Sequence, residues 1–223
     1  MTSLEIYKRF LLKINKNDSN EGINVLVSHF VLMFNTERLV WLGEKLRDDS
    51  DNYKLDRLQE LVSTDVILTV NKKHDSSVDF TLPVDLYRYI SSYSIADKDN
   101  CKGKKIFNFE QNTLNLTAVL ADAFSRPSFK FEETPCIQKS GTLKVYFEDF
   151  KINSVLLSYY RTPKPIDIIG YTGIDGTPSV NSETELSDEN IDEVLNRMAV
   201  EVLREYQDVE GIQLAKDRIV SEP

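Results

Sequence analysis

The sequence predicts an α+β fold, with helices toward both ends of the chain and a β-rich middle. Apolar residues recur at three- and four-residue steps in residues 3–14, 23–47 and 188–206, as they do on amphipathic helices. Between residues 63 and 161, short β-branched and aromatic runs alternate with turn residues. That spacing indicates an antiparallel sheet, a small sandwich or a partly open barrel. The 223 residues suit one sizeable domain or two small ones.

Two helices are predicted near the N-terminus. Residues 3–14 carry their apolar side chains on one face. In residues 23–47 the apolar stripe is wider than one face, which predicts burial on several sides, within a bundle or at an interface. Asn35 and Thr36 leave open a break of this segment into two helices.

The acid-rich residues 48–52 predict a helix N-terminus rather than a calcium site. An EF-hand loop that starts at Asp49 requires Gly at its sixth position, where Lys54 stands. The favoured interpretation is a polar cap for a helix that carries apolar side chains over residues 55–62.

The middle of the chain reads as a series of short strands. Pro83 instead predicts the first turn of a short helix over residues 83–90, and residues 115–125 fit either a helix or a loop. The predicted strands are residues 66–70, 78–82, 93–96, 105–109, 129–132, 143–147 and 155–161.

The last part of the chain is predicted to hold an arm, a loop and a helix. Pro163 and Pro165 cannot donate to a strand ladder, so they predict an extended arm or a sheet edge. The glycines and hydroxyls of residues 170–182 predict an exposed, mobile loop. Residues 188–206, with Ser187 as N-cap, predict a helix with an acidic outer face. A poorly held tail is expected after Gly211.

The negative charge is concentrated near the C-terminus. Of the net charge of −9, residues 183–210 contribute ten acids and two bases, whereas the first 182 residues are nearly balanced. The one dense basic stretch is residues 102–105, near Lys98, and Asp97 and Asp99 lie beside it. A protein that neutralises phosphates needs an excess of Lys and Arg on some element. The favoured interpretation is a solvated loop, which argues against sequence-specific DNA reading.

No cofactor, metal site or membrane span is expected. Cys101 and Cys136 form no CxxC or Cys/His spacing, and the glycines of residues 170–176 do not match a dinucleotide motif. No apolar run approaches the length of a membrane-spanning helix. The first five residues lack the pattern of a signal peptide, so free thiols in a reducing cytoplasm are expected.

No catalytic residue is expected either, and the chain is interpreted as not an enzyme. His29 falls in the wide apolar stripe, where a core or interface role is favoured, and His74 lies in a polar loop. The acid pairs at residues 132–133 and 148–149 are neighbours in strands, so the two acids of each pair point to opposite faces. No GxSxG, HExxH or phosphate-binding glycine loop occurs.

What remains is association with other proteins. The chain holds 10 Tyr and 11 Phe, residues that are enriched at interfaces as well as in cores. The broad apolar helix, the proline arm and the Gly-rich loop are parts with which a subunit contacts its neighbours. Each has a plain alternative: a core helix, an edge strand and a surface loop.

Three stretches of the sequence carry a resemblance to one family of proteins. The first is residues 30–42 leading to the "QEL" at 59–61, the second joins residues 125–135 to 156–166 and ends in a "Y-x-x-x-P-x-P-I" arm, and the third is residues 185–200. Together they resemble the connector or adaptor ring proteins of short-tailed phages, in particular crAss-like phages. The first stretch is similar to the N-terminal helical pair of that family, and the third is similar to its closing helix.

The resemblance implies a fold and a function. The implied fold has N- and C-terminal helices packed as a bundle, residues 1–62 and 183–223, with an inserted antiparallel β domain, residues 63–182. The implied function is a structural ring of about twelve copies between portal and tail, a conduit for DNA with no catalytic residue. The implied partners are the portal, other ring or tail proteins and passing DNA. The implied location is the neck of the virion, after synthesis in the host cytoplasm.

Two hypotheses extend this interpretation, and two alternatives stand beside it. An acidic face repels DNA, so residues 188–206 are expected to face the channel or a basic neighbouring ring. Residues 164–182 and the tail are expected to reach adjacent subunits. The alternatives are a tail-tube or neck ring further from the portal, and a soluble nucleic-acid-handling protein that uses the lysines between Lys98 and Lys105.

Overall fold

The chain forms two compact units in a computed structural model that describes residues 1–15, 22–47, 58–173 and 176–205. The helical unit comprises Met1–Leu61 and Pro163–Pro223, and the sheet unit comprises Val62–Thr162. The predicted loop at residues 48–52, the start of the helix predicted after it and the C-terminal tail lie outside the described residues.

Four helices and eight strands occur in the described residues, besides one 3₁₀ turn at Gln59–Leu61. The helices are α1 (Ser3–Ile14), α2 (Val27–Arg47), α3 (Leu116–Ala121) and α4 (Asp188–Glu205). The strands are β1 (Val62–Ile67), β2 (Thr69–Lys73), β3 (Ser77–Thr81), β4 (Leu86–Lys98), β5 (Cys101–Glu110), β6 (Glu133–Lys139), β7 (Thr142–Tyr146) and β8 (Lys151–Arg161). Helix α3 and all the strands belong to the sheet unit.

Local sequence signals explain the first two helices. Thr2 and Glu5 form a capping box, in which the Glu5 amide donates to the Thr2 hydroxyl and the Thr2 amide donates to the Glu5 carboxylate. Helix α2 runs unbroken through Asn35 and Thr36, where the Thr36 hydroxyl donates to the Leu32 carbonyl at 2.9 Å. Helix α1 covers the predicted residues, whereas α2 begins at Val27, four residues after its predicted start, and ends at Arg47 as predicted.

The core of the helical unit is built from aromatic and aliphatic side chains. Phe30 of α2 lies 5.3 Å from Phe10 and 6.0 Å from Phe34, measured between ring centroids. Helix α4 packs against both α1 and α2 and buries most of its length, including Ile191 and Leu195. The backbone hydrogen bonds of a helix do not cover its apolar side chains. A helix with apolar side chains on several sides is therefore stabilised by neighbouring helices that remove those side chains from water.

The eight strands form one mixed sheet in the order β1-β8-β4-β5-β6-β7-β3-β2. Strands β1 and β2 are its two edges, yet Leu68 alone separates them in the chain. The Leu68 amide donates to the Val155 carbonyl at 2.9 Å. Since neighbouring Cα atoms lie only about 3.8 Å apart, the two edges must approach each other. The sheet is accordingly a strongly curled half-barrel.

The predicted bundle of N- and C-terminal helices with an inserted antiparallel β domain is wrong. The fold is α+β, but it is mostly the curled half-barrel, neither a sandwich nor a small antiparallel barrel, and the helices are not a bundle around an inserted domain. Strand β6 runs parallel to β5, because the long connection at residues 111–132, hereafter the crossover segment, carries the chain back before β6 begins. Short turn signals suggested hairpins throughout and gave no sign of this crossover.

Two local predictions in the sheet unit are also wrong. In place of the helix expected over residues 83–90 there is a turn, in which the Leu86 amide donates to the Pro83 carbonyl at 3.2 Å. The long strand β4 follows this turn. Pairing of β4 with β8 overrides the helical signal of the proline. The strand expected at residues 129–132 is a turn in which the Phe131 amide donates to Ser128, and β6 starts only at Glu133.

Candidate functional site: interaction surfaces

Most of the positive charge of the basic stretch is paired within the sheet unit. Lys102 and Lys104 of the stretch, and Lys98 near it, each lie against an acid of the same unit, whereas Lys105 lies over a neutral aromatic ring and keeps its charge. The contacts are Lys98–Asp149, Lys102–Asp97 at 3.8 Å, Lys104–Glu132 at 3.0 Å and Lys105 over the Tyr93 ring at 4.2 Å. An electrostatic footprint for phosphates requires an excess of free positive charge, which three acid-paired lysines and Lys105 supply only weakly.

Three acids of the two acid pairs each bind a different base. Glu132 binds Lys104, Glu148 lies 3.4 Å from Arg126, and Asp149 binds Lys98. Within the part of the chain that the structure describes, no group of three or more His, Cys, Asp or Glu side chains is placed to hold a metal ion. The arrangement is that of surface ion pairs, which contribute little to stability individually.

The two histidines lie in different settings. His29 is exposed on α2, whereas its neighbour Phe30 is fully buried, so the core position considered for His29 is wrong. Because the apolar stripe of α2 is wider than one face, the sequence does not show which side of the helix faces the core. His74 lies in the β2–β3 loop, where its Nε2 is 3.1 Å from Asp79, an acid that also lies 3.8 Å from Lys144.

Two of the six acids of the last helix face the other helices of the unit instead of solvent. Asp192 pairs with Arg9 at 2.8 Å and with Lys13 at 3.3 Å, and Glu193 pairs with Lys45 at 2.8 Å. These contacts join α4 to α1 and α2 within the helical unit. The acids of α4 that remain exposed are Asp188, Glu189, Glu201 and Glu205.

Arg197 is the main ionic link between α4 and α2. Its guanidinium donates to both carboxylate oxygens of Glu44, at 2.6 and 3.0 Å, and to Glu37. This hydrogen bond from Arg197 holds the pKa of Glu44 below its ordinary value. The sequence offered one signal for the link, a base in the middle of the acid-rich last helix.

The proline arm is held by α2 of its own chain. Arg38 is buried and donates to the carbonyls of Pro163 and Asn35, and burial lowers its pKa to about 10. The side-chain amide of Asn35 donates to the Ile166 carbonyl and accepts from the Ile166 amide. These contacts fix the start of residues 164–182, the segment expected to reach a neighbour, to the helical unit.

The Gly-rich loop is organised around Asp167. The carboxylate accepts from the Tyr171 hydroxyl at 2.7 Å and from the amides of Ile168 and Val180 at 2.8 Å each. Although partial burial opposes ionisation, these hydrogen bonds lower the pKa of Asp167. Burial and the bond to Asp167 raise the pKa of Tyr171 to about 12. The described part of this loop is therefore built by specific hydrogen bonds.

An apolar groove lies between α2 and this loop, within the helical unit. Its volume is about 700 Å³, and Leu32 on its wall is 57% exposed. We call it the α2 groove. Its lining includes Ser28, His29, Leu32 and Asn35 of α2 with Tyr171 and Gly173 of the loop.

The crossover segment of the sheet unit displays large apolar side chains to solvent. Leu114 is 87% exposed, Phe124 is 85% exposed and Phe131 is 61% exposed. None of the six residues of α3, which the structure describes in full, is buried. Isolated apolar side chains on a surface are ordinary, but three large exposed ones within one connection, next to a helix whose larger apolar residues are only half-buried, mark a candidate contact surface.

The turn after α3 holds Phe124 outward. The Asp122 carboxylate accepts from the Ser125 hydroxyl at 2.7 Å and from the Phe124 amide at 3.4 Å. The Ser125 hydrogen bond lowers the pKa of Asp122. Phe124 is thus displayed on a hydrogen-bonded turn, which reduces the entropy lost when it is ordered in a complex.

The inner face of the curled sheet contains a polar cluster that sequence reasoning missed. Ser94 donates to the Asn108 side chain at 2.7 Å, which in turn donates to Ser92 at 2.9 Å. The Tyr89 hydroxyl lies 3.0 Å from the Ser92 hydroxyl and completes the cluster. Cys136 lies buried beside the Tyr89 hydroxyl. Burial raises the pKa of Cys136 to about 12. The available signal was Ser-x-Ser-x-Ala at residues 92–96, small side chains on the crowded inner face of a strand.

No protein-family model matches this chain, and comparison with curated proteins finds no significant match. None of the helices that the structure describes is both long and apolar enough to cross a lipid bilayer.

Proposed function

We propose that this chain is a structural, non-catalytic subunit that self-associates into a ring in the portal-to-tail connector of a short-tailed phage. The observation that carries the proposal is the exposed apolar surface of the crossover segment, around Leu114 and Phe124. The ring and its place in the virion come from the resemblance of the three sequence stretches. The bundle arrangement, which the structure contradicts, gives no support.

The physical argument for association is the cost of this surface in water. Each Å² of apolar area removed from water contributes about 25 cal/mol, so a chain that keeps Phe124 and Phe131 in water forgoes stabilisation that a neighbour would supply. Phe is also among the residues enriched in interface cores. A surface that displays such side chains on an ordered turn is suited to contact with another protein.

The charge distribution supports a conduit that does not retain DNA. Lys98, Lys102 and Lys104 are paired with acids, so the basic stretch holds little free charge for phosphates. Four acids of α4 stay exposed. Acids that line a channel repel the phosphate backbone and let DNA slide. The hypothesis of an acidic lining is therefore retained for those four acids only.

The test is cryo-electron microscopy of the neck of the phage particle that carries this protein. Density for about twelve copies in a ring directly beneath the portal, in contact with portal and tail proteins, is the expected result. A ring further along the tail would support the alternative of a tail-tube or neck ring. Absence of the chain from mature particles would contradict the proposal.

A further inference from the structure

We propose that the α2 groove of one copy receives Phe124 and its apolar neighbours in the crossover segment of a second copy. The inference rests on the proposed self-association and specifies the two surfaces that meet. The groove belongs to the helical unit and the crossover segment to the sheet unit. The contact therefore joins unlike surfaces of two identical chains.

The groove is suited to an aromatic guest by its shape and stiffness. Its wall at Asn35 is fixed by the two hydrogen bonds to Ile166, and its wall at Tyr171 is fixed by the bond to Asp167. Ordinary ligand pockets of about 300–1,000 Å³ are apolar with a few placed polar groups. The α2 groove, at about 700 Å³, is of this size and holds Asn35 and His29 as such groups.

The charges of the two surfaces are compatible. Asp122 lies two residues from Phe124 and would enter or border the groove with it. Among the lining residues that the structure describes there is no Asp or Glu, and His29 is the one ionisable base. At those residues an acidic turn meets no like charge, whereas it would be repelled by the exposed acids at the N-terminus of α4.

The area is sufficient for a weak contact that repeats. An aromatic side chain buries about 150–250 Å², so Phe124 and Phe131 with Leu114 supply about half of the roughly 800 Å² that each partner buries in a stable interface. A contact between unlike surfaces is heterologous, and it forms a closed ring when the rotation between subunits closes. Each copy in such a ring then uses both surfaces, the groove with one neighbouring copy and the crossover segment with the other.

Cysteine cross-linking between copies tests the contact directly. In the full chain with Cys101→Ser, a Leu32→Cys variant is mixed with a Phe124→Cys variant under mild oxidation. We expect a disulfide-linked dimer from this mixture and at least tenfold less from Leu32→Cys with Val84→Cys, since Val84 is a fully exposed site outside both surfaces. If the chains assemble but the two mixtures cross-link equally, this inference is overturned and the proposed function stands.

Charge substitution with rescue supplies the second test. Phe124→Asp alone and Leu32→Lys alone should each raise the concentration needed for half-assembly about thirtyfold, the effect of losing an interface hot spot. The chain with both changes should regain most of that loss, which a folding defect would not do. Leu12→Asp is the matched control, because Leu12 is 68% exposed on α1 and outside the groove. Assembly unchanged by Phe124→Asp overturns the inference, and a wild-type chain that stays monomeric overturns the proposed function itself.

Discussion

The side-chain amide of Asn35 pairs with the backbone of Ile166 as a strand neighbour would, with one hydrogen bond in each direction at 2.9 Å. The partners are 131 residues apart in the sequence. Ile166 follows Pro163 and Pro165, which have no backbone N–H to donate to a neighbouring strand. The Asn35 side chain therefore supplies hydrogen bonds of the kind that a neighbouring strand would otherwise make. This contact attaches the loop at residues 167–173 to α2 and so shapes the α2 groove.

Removal of this contact should loosen the arm. Asn35→Ala leaves the amide and carbonyl of Ile166 unpaired in a half-buried site, and we expect a loss of about 1–3 kcal/mol in the free energy of unfolding. Urea denaturation measures it, and Thr36→Ala is the control on the same helix. Equal stability of the two variants would show that the pairing is not needed.

Arg38 should be the more sensitive anchor. It is 5% exposed, and its guanidinium donates to the carbonyls of Pro163 and Asn35. Arg38→Ala removes these charge-assisted bonds and leaves a cavity, so a loss of at least about 2 kcal/mol is expected. Arg204→Ala, at an exposed position of α4, should stay within about 0.5 kcal/mol of the wild type. Similar unfolding curves for both variants would rule out the anchoring role.

The Arg197–Glu44 link predicts a pH dependence. The pKa of Glu44 is lower in the folded chain than in the unfolded chain, where it is about 4.3. The link therefore contributes its full stability above that value and loses it as the pH falls through the folded pKa. The stability difference between wild type and Glu44→Gln should shrink as the pH is lowered from 7 to 3.

The size of this effect is limited by exposure. The Glu44 side chain is 53% exposed, so the difference at pH 7 should stay below about 1 kcal/mol. Glu201→Gln serves as the control, since Glu201 is exposed on α4. A Glu44→Gln difference that is constant with pH would count against the link.

The two thiols should differ sharply in reactivity. Cys101 is exposed, whereas Cys136 is fully buried with its pKa raised to about 12, and thiolate is the reactive form. Iodoacetamide at neutral pH should modify one thiol per native chain and two in urea, as counted by mass spectrometry. Rapid modification of native Cys101→Ser chain would show that the polar cluster beside Cys136 is open to solvent.

The paired lysines predict weak retention of DNA. Replacement of Lys102, Lys104 and Lys105 by Ala should leave assembly at most mildly changed, because each lysine interacts within its own unit. A filter-binding assay should detect little DNA retention by the wild type. Strong retention that the triple variant abolishes would favour the nucleic-acid-handling alternative.

Individual helices and strands were easier to predict from the sequence than the way in which the strands pair. Residues 3–14 form α1 as predicted, because a capping box and an apolar face are local signals. The parallel pairing of β5 with β6, and the break at Leu68 that divides the predicted strand 66–70 between the two sheet edges, depend on contacts between distant segments, for which the chain shows no local signal. Strand pairing likewise overrode the helical signal of Pro83.

The candidate surfaces were predictable only in part. The apolar width of α2 predicted an interface or a bundle, but the position of His29 and Leu32 on its open side depends on how α4 packs. Residues 115–125 were predicted only as a helix or a loop. Periodicity does not reveal that a short apolar helix has no fully buried residue, since exposure is set by the rest of the fold.

The measurement that tests the central claim most directly is native mass spectrometry of the full chain over a range of concentrations. Self-association through the crossover segment predicts one dominant closed oligomer for the wild type and for Leu12→Asp, with dissociation to smaller species for Phe124→Asp. A single-chain mass at every concentration, for the wild type as for Phe124→Asp, would contradict the account.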